Sequence, residues 1–373
     1  MRGKKESQRD LLALINLEDR IPQRHPIRLV KAMVDTVLER LSGEFDRMYA
    51  QRGRPSIPPE RLLKAKVLSA LYSVRSDRQF CERLNFDLLF QWFLDMNPHE
   101  AAFDASTFSK NMDRLLGHRI AELFFMEVVE LAQRQGWVSS EHFSVDGTLI
   151  EAWASIKSFR PKDEEPPPPG ASRNDWVDFK GQKRSNDTHQ STSDPEARLM
   201  RKGPGKEAKL SYGAHAVMEN LTGLCVLIDV RPACGEGCAE HEVASDQIDE
   251  LTMRGFDVQS VGADKGYHTG KFVRECRDRF IAPHVARVSG RKTPGLDGRT
   301  ARSEAYKQSQ RARKRIENLF GWMKTTGALR KSRYRGVERT HHLTQFVAAT
   351  ANLIRMAKLL GQHPRSPLCP AVG

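Results

Sequence analysis

Two short strand-like runs, far apart in this chain, each end in an aspartate followed within two residues by glycine. His142-Phe143-Ser144-Val145 leads into Asp146-Gly147, and Val258 to Ala263 leads into Asp264-Lys265-Gly266. Runs of that length and character read as β-strands with an acid at the tip. A third acid, Glu317, lies inside the basic helical run Arg311-Ala312-Arg313-Lys314-Arg315-Ile316-Glu317. Three carboxylates on three separate elements meet only through the fold. Hard divalent cations such as Mg²⁺ take carboxylate oxygens in that way. The basic surroundings of Glu317 point to a polyanionic substrate.

The charge balance supports that reading. The chain has 373 residues, a formal net charge of +13 and 39% hydrophobic residues. Its length is enough for two or three domains and a full core. The positive charge is concentrated between Arg299 and Arg335, where Glu304 and Glu317 are the only acids. Such a stretch favours an anionic partner, against the bland alternative of a solvated surface. No apolar run approaches the roughly 18–20 residues of a membrane span, and Met1 to Glu6 does not read as a secretory signal. Irregularly spaced cysteines do not form a disulfide framework. The expected setting is the reduced cytoplasm. Cys234, Cys238 and His241 lack a nearby fourth ligand, so they read as a loop ahead of a helix rather than a zinc site.

Residues 1–140 read as helical. Helices are expected from Pro26, from Pro58-Pro59-Glu60, from Ser76 and from Asp104, with proline tolerated in a first turn and Asp104 as a cap. The helix after Asp104 buries Phe108, Met112, Leu115 and Leu116 and offers Lys110 and Arg114 on its polar side. A helix-turn-helix-like DNA reader and a plain helical bundle fit this pattern equally. Residues 141–335 are expected as a second domain, and within it residues 141–300 change rhythm. Strands are expected at His142 to Ile150, Lys209 to Glu219, Leu224 to Val230, Val258 to Ala263 and Phe280 to Val288. The turn Glu219 to Gly223 makes a hairpin, and helices cover Cys238 to Met253 and Thr269 to Arg279. That order is a mixed α/β layer. Residues 158–206 lack apolar rhythm and read as an exposed, partly disordered insertion whose Lys180, Lys183, Arg184, Arg198, Arg201 and Lys202 could meet phosphates. In the last segment, 336–373, a helix from His342 to Leu360 is expected to pack on the mixed α/β layer.

One basic helix is expected from Arg302 to Thr325. Ile316, Leu319, Phe320 and Met323 form its core stripe, and Arg313, Glu317 and Lys324 share a neighbouring edge. A carboxylate flanked by two cations can hold a metal while the cations grip phosphates. Alone, the pair Arg313 and Glu317 would read as a surface ion pair of little energetic weight. The two strand-tip aspartates reverse that reading.

The motifs Phe143-Ser144-Val145-Asp146-Gly147-Thr148, Gly262-Ala263-Asp264-Lys265-Gly266-Tyr267 and Arg313-Lys314-Arg315-Ile316-Glu317-Asn318-Leu319-Phe320-Gly321-Trp322-Met323-Lys324 resemble those of DDE transposases of bacterial insertion sequences, in the branch called IS-five. The resemblance extends over nearly the whole chain and takes in Arg54-Pro55-Ser56-Ile57-Pro58-Pro59 and Asp297-Gly298-Arg299-Thr300. The family's last signature places a tyrosine three residues before the arginine; here that position is Gln310, with Tyr306 one turn earlier. The resemblance implies an RNase H-like mixed sheet flanked by helices, preceded by a helical DNA-binding region. It implies Asp146, Asp264 and Glu317 as catalytic metal ligands for two Mg²⁺ ions about 3.5–4 Å apart, with Mn²⁺ as a substitute. Water would first free a 3′-hydroxyl at the element end, and that hydroxyl would then attack target DNA. Arg313, Lys314, Arg315 and Lys324 would contact DNA, as would Lys265 and Tyr267 beside the site, and Trp322 could stack on an unpaired base. The implied partners are double-stranded DNA, both terminal inverted repeats and target, and a second copy of the chain on the bacterial nucleoid. Two other readings stay open at this point: a DNA-binding regulator without catalysis, and an RNase H-fold nuclease without strand transfer.

Overall fold

The computed structural model describes residues 16–49, 56–162, 184–203, 205–290, 292–296 and 298–362. Lys180, Lys183 and the run Asp163 to Pro169 of the expected insertion lie outside the described residues, as do Arg54-Pro55 and Asp297.

Eight helices come first: α1 (Leu17–Arg20), α2 (Pro26–Arg40), α3 (Ser42–Met48), α4 (Pro59–Leu71), α5 (Asp77–Leu84), α6 (Leu88–Phe93), α7 (Ala105–Gly117) and α8 (Ile120–Arg134). Pro26 and Pro59 occupy first turns, where no amide hydrogen is needed. Ser76 accepts from Gln79 N at 3.0 Å and starts α5, while Asp104 accepts from Ser106 N at 2.8 Å and starts α7. Helix α8 carries Phe124, Phe125, Val128 and Val129 into the core.

The second part contains β1 (His142–Glu151), β2 (Phe159–Pro161), β3 (His189–Ser191), β4 (Arg198–Arg201), β5 (Ala208–Glu219), β6 (Cys225–Pro232), α9 (Glu240–Met253), β7 (Ser260–Ala263), α10 (Gly270–Asp278), β8 (Ala282–Val285), α11 (Gly298–Arg302), α12 (Glu304–Arg313), α13 (Arg315–Lys324) and α14 (Val337–Gln362). The antiparallel trio β6-β5-β1 continues into β7 and β8, which run parallel to β1. This is the expected RNase H-like mixed sheet flanked by helices, with the helical region ahead of it.

Three local expectations change. The segment 158–206 is more than a loop: β2 pairs with β3, and β4 joins the main sheet on β5. Arg198-Leu199-Met200-Arg201 is an edge strand, and charged edge residues hide the apolar alternation that would announce it. The basic helix is also divided, with α12 and α13 meeting at Lys314. Finally, α14 begins at Val337 and not at His342, so His341 and His342 lie inside it. His341 Nδ1 accepts from Val230 N at 3.0 Å, and His342 is buried.

Helix α14 holds the assembly together. It packs against β6 on one side and α8, α2 and α4 on the other. Asn352 both accepts from Cys225 N at 2.9 Å and donates to Cys225 O at 2.7 Å, fixing the helix to the sheet. The buried apolar residues of the helical region and the sheet therefore form one cluster.

Candidate active site

In the parallel pairing of β1 with β7, His142 stands opposite Ser260 and Ser144 opposite Gly262. Two residues further on stand Asp146, which lies in the middle of β1 and not at its expected tip, and Asp264, immediately past the end of β7. Side chains alternate along a strand, so both aspartates return to the face of His142 and Ser260. That face is covered by α12 and α13; Ser309 of α12 packs directly over Gly262. Beyond these pairs the strands part. Asp146 Oδ1 accepts from Gly147 N at 2.8 Å, and Asp264 Oδ1 caps a single turn by accepting from Gly266 N at 2.6 Å.

Helix α13 brings Glu317 to the same face. Asp146 reports the crowding: burial above all pushes its carboxyl up to about 6, and the negative charges of Asp264 and Glu317 add to the effect. The Gly147 amide and the Arg313 guanidinium pull the other way. All the acids are carboxylates, the donor set of a hard divalent cation. They are neighbours without being closed on one point: among the described residues no three His, Cys, Asp or Glu side chains are grouped as one ion's ligands would be.

The cations around the acids differ in their commitments. Lys324 Nζ donates to Thr148 Oγ1 at 2.5 Å, two residues past Asp146. Arg313 is half-buried, with Nε buried and unpartnered, whereas Lys265 and Lys314 are exposed. Arg315 gives its guanidinium to the β5–β6 turn, donating to Asn220 O at 2.8 Å and Leu221 O at 2.9 Å. Tyr267 is a correction: with 1% of its surface exposed it packs against Phe272 and presents no face to DNA. The apolar side of its short turn has to be buried for the turn to hold Asp264 against the sheet. Trp322 is half-buried in a recess with Asn318, Arg355 and Lys358. Lys110 and Arg114 are exposed on α7, remote in sequence from the acids, and Arg114 lies over the Tyr49 ring at 4.9 Å.

Two site residues escape the sequence reading. Gln310 donates to Ala263 O at 3.2 Å and also to His284 O, and so pins α12 to the tips of β7 and β8. The signal was its occupation of the tyrosine position. Glu240, the first residue of α9, approaches both aspartates; desolvation first, and then the charges of Asp146 and Asp264, raise its carboxyl. No spacing in the sequence separates it from the other acids near that helix start.

Two family models match. One described as "Transposase domain (DUF772)" covers residues 15–114, and one described as "Transposase DDE domain" covers residues 168–353. Between them they span most of the chain. The chain belongs to the DDE transposases. This transposase has Asp264 and Glu317 inside the matched catalytic span and Asp146 ahead of it. DDE transposases use divalent metal ions, which suits the carboxylate donor set described above. Among solved structures, the chain is similar to the cryo-EM structure of a piggyBac transposase synaptic complex with hairpin DNA, at 11% identity and a TM-score of 0.42, over 90% of this chain and 76% of that one. It is also similar to a Mos1 transposase paired-end complex with the left transposon end, at 10% identity and a TM-score of 0.20, over 77% and 83% of the two chains. Likenesses this loose carry no weight for the transposase. Among its described residues, no helix is long and apolar enough to cross a membrane.

Proposed function

We propose that Asp146, Asp264 and Glu317 are the catalytic acids with which this transposase cuts the ends of an insertion sequence and joins them to target DNA. The matched register of Asp146 and Asp264 on neighbouring parallel strands, with Glu317 on the covering helix, carries this reading. Two Mg²⁺ ions held by these carboxylates would supply an activated water and charge stabilisation at the attacking and leaving oxygens. In the first step a water O–P bond forms and a P–O3′ bond breaks, leaving a 3′-hydroxyl on the element end. In the second, that hydroxyl attacks a target phosphodiester, and the target's own 3′-oxygen leaves. Arg313 offsets negative charge beside Asp146, and Lys324, placed by Thr148, reaches the phosphate next to the reacting one.

We assign the DNA path to the basic basin beyond Lys324. This open hollow of about 660 Å³ is lined by Arg75, Lys324, Arg330, Lys331 and Arg333, with Trp153 exposed at its side. The backbone of Glu151 forms a parallel β-bridge with that of Lys331 there, five residues along β1 from Asp146. At about 3.3 Å per residue that is roughly 16 Å, about five base steps of 3.4 Å each. Arg75 lies on the helical side, so the amino-terminal helices contribute to the same path. Two copies would act on the two element ends in the bacterial nucleoid.

The test is a cleavage and strand-transfer assay with duplexes carrying the element's own ends. Asp146→Asn, Asp264→Asn and Glu317→Gln should each abolish Mg²⁺-dependent cleavage while end binding persists. Cleavage surviving all three would sink the assignment. Cleavage without joining would make the protein a nuclease, and metal-independent binding alone would make it a regulator.

A further inference from the structure

The turn between β5 and β6, from Glu219 to Gly223, is held from several sides. Glu219 is fully buried and accepts from the amides of Leu221 at 2.5 Å and Thr222 at 2.8 Å. From α13, Arg315 donates to the carbonyls of Asn220 and Leu221; from α14, Arg355 donates to Thr222 O at 2.8 Å. Ser144 of β1 donates to Asn220 Oδ1 at 2.6 Å. A buried carboxylate and two guanidinium groups committed to one short turn fix its backbone. Yet the side chain at its apex is apolar and 66% exposed: Leu221.

One exposed leucine means little by itself; its surroundings give it meaning. The turn divides two open recesses. Asn220 and Leu221 line one, of about 470 Å³, with Arg311. Thr222 and Gly223 line the other, of about 450 Å³, with Trp322, Arg355 and Lys358. Arg315 lines both, and no acid lines either. A protein partner would want roughly 800 Å² of surface, far more apolar area than one side chain offers. A duplex fits better: the cations take phosphates on both sides of a base step, and the apolar side chain enters the step. The placement also suits a second duplex. Glu219, at the base of the turn, stands opposite Phe143, three residues before Asp146 and so roughly 10 Å away along β1. The basin assigned to DNA lies on the other side of Asp146, and along α13 Glu317 likewise falls between Arg315 and Lys324. Joining requires two duplexes at the same acids. With the element end in the basin, the surface around Leu221 is left for the target.

We propose that Leu221 is a wedge that enters a base step of the target duplex and opens it beside the acids. The inference rests on the transposase reading above and names how its second substrate is received. Opening a step kinks a duplex, so the two arms of the target can follow the cations on either side of the turn. A wedge works only on a backbone that does not yield, which gives Glu219, Arg315 and Arg355 their common purpose.

The experiment joins pre-cleaved element ends to a short target duplex, using the full chain and Mg²⁺. Leu221→Ala should slow joining to a fully paired target about tenfold, and much less to a target carrying a mismatch, whose bases are already loosened. Leu221→Met keeps an apolar apex and should join to both targets at close to the parent's rate. A fluorescent base analogue that brightens when unstacked, scanned along the target, should brighten with the parent and stay dim with Leu221→Ala. Equal losses on paired and mismatched targets, or joining like the parent's on both, overturn the wedge. Brightening only when the analogue sits in the element end overturns its assignment to the target. Asp146→Asn is run alongside. If it abolishes joining while Leu221→Ala joins like the parent, only this inference falls; if Asp146→Asn also joins like the parent, the catalytic reading under Proposed function falls.

Discussion

Gln310 donates a hydrogen bond to the carbonyl oxygen of Ala263, the residue immediately before Asp264. The same amide reaches His284 O, so one side chain sets the height of α12 over two strand tips. Gln310→Ala should lower the rate of end cleavage about tenfold with little change in end binding. It should also cost about 1 kcal/mol of stability, the usual worth of such a bond. Urea unfolding and a single-turnover cleavage assay would measure the two effects separately; a rate equal to the parent's would reduce the clamp to a packing contact.

Asp146 makes the metal-free protein sensitive to pH. Its carboxyl titrates at about 6 in the fold against 3.8 for an unperturbed aspartate, because of burial, Asp264 and Glu317, with Arg313 opposing. The folded state therefore holds a proton that the unfolded state has already lost. Stability from this group is fully present below about pH 4 and declines as pH rises toward 6. Asp146→Asn should raise the melting temperature in EDTA at pH 7.5, by an amount that shrinks toward pH 4. Mg²⁺ should stabilise the parent at pH 7.5 and leave the variant unmoved. Calorimetric melts over this range would show whether the slope disappears in the variant.

Lys324, held to Thr148, is expected to neutralise one phosphate. Lys324→Ala should weaken binding to element ends and reduce the slope of log affinity against log salt by about one. Fluorescence anisotropy at several salt concentrations reads this directly. An unchanged slope would show that Lys324 serves only to orient β1.

Trp153 tests the DNA path. It is 44% exposed, and the Arg335 guanidinium lies 4.3 Å from its ring centre. Trp153→Ala should cost about 1–3 kcal/mol in binding an end with unpaired bases and much less with a fully paired duplex. Equal losses on both substrates would argue against stacking.

The strands bearing the acids were legible because short apolar runs ending in acid-glycine motifs have few other meanings. The helix carrying Glu317 is legible from the stripe Ile316, Leu319, Phe320 and Met323, all of which are buried. Other features depend on contacts between remote segments. The burial of Tyr267 depends on Phe272 and its surroundings, and the employment of Arg315 depends on carbonyls at Asn220 and Leu221, nearly a hundred residues away. Glu240 comes near Asp146 and Asp264 only because α9 starts beside Gly147 of β1 and Gly266 of the turn after β7. Edge strand β4 has charged ends and pairs only where β5 leaves an edge free. For Arg315 the deciding partners are far along the chain, and in the other cases they lie on a different element, where spacing rules cannot see them.

The placement of α14 bears on how the molecule comes into being. A ribosome delivers this helix after the elements it joins, yet it wedges between β6 and the helices α8, α2 and α4. Until it emerges, both halves wait with their inward surfaces uncovered. A product stalled before this helix would therefore lack both a closed helical part and a closed sheet, and a cell would be spared a half-made enzyme loose on its chromosome.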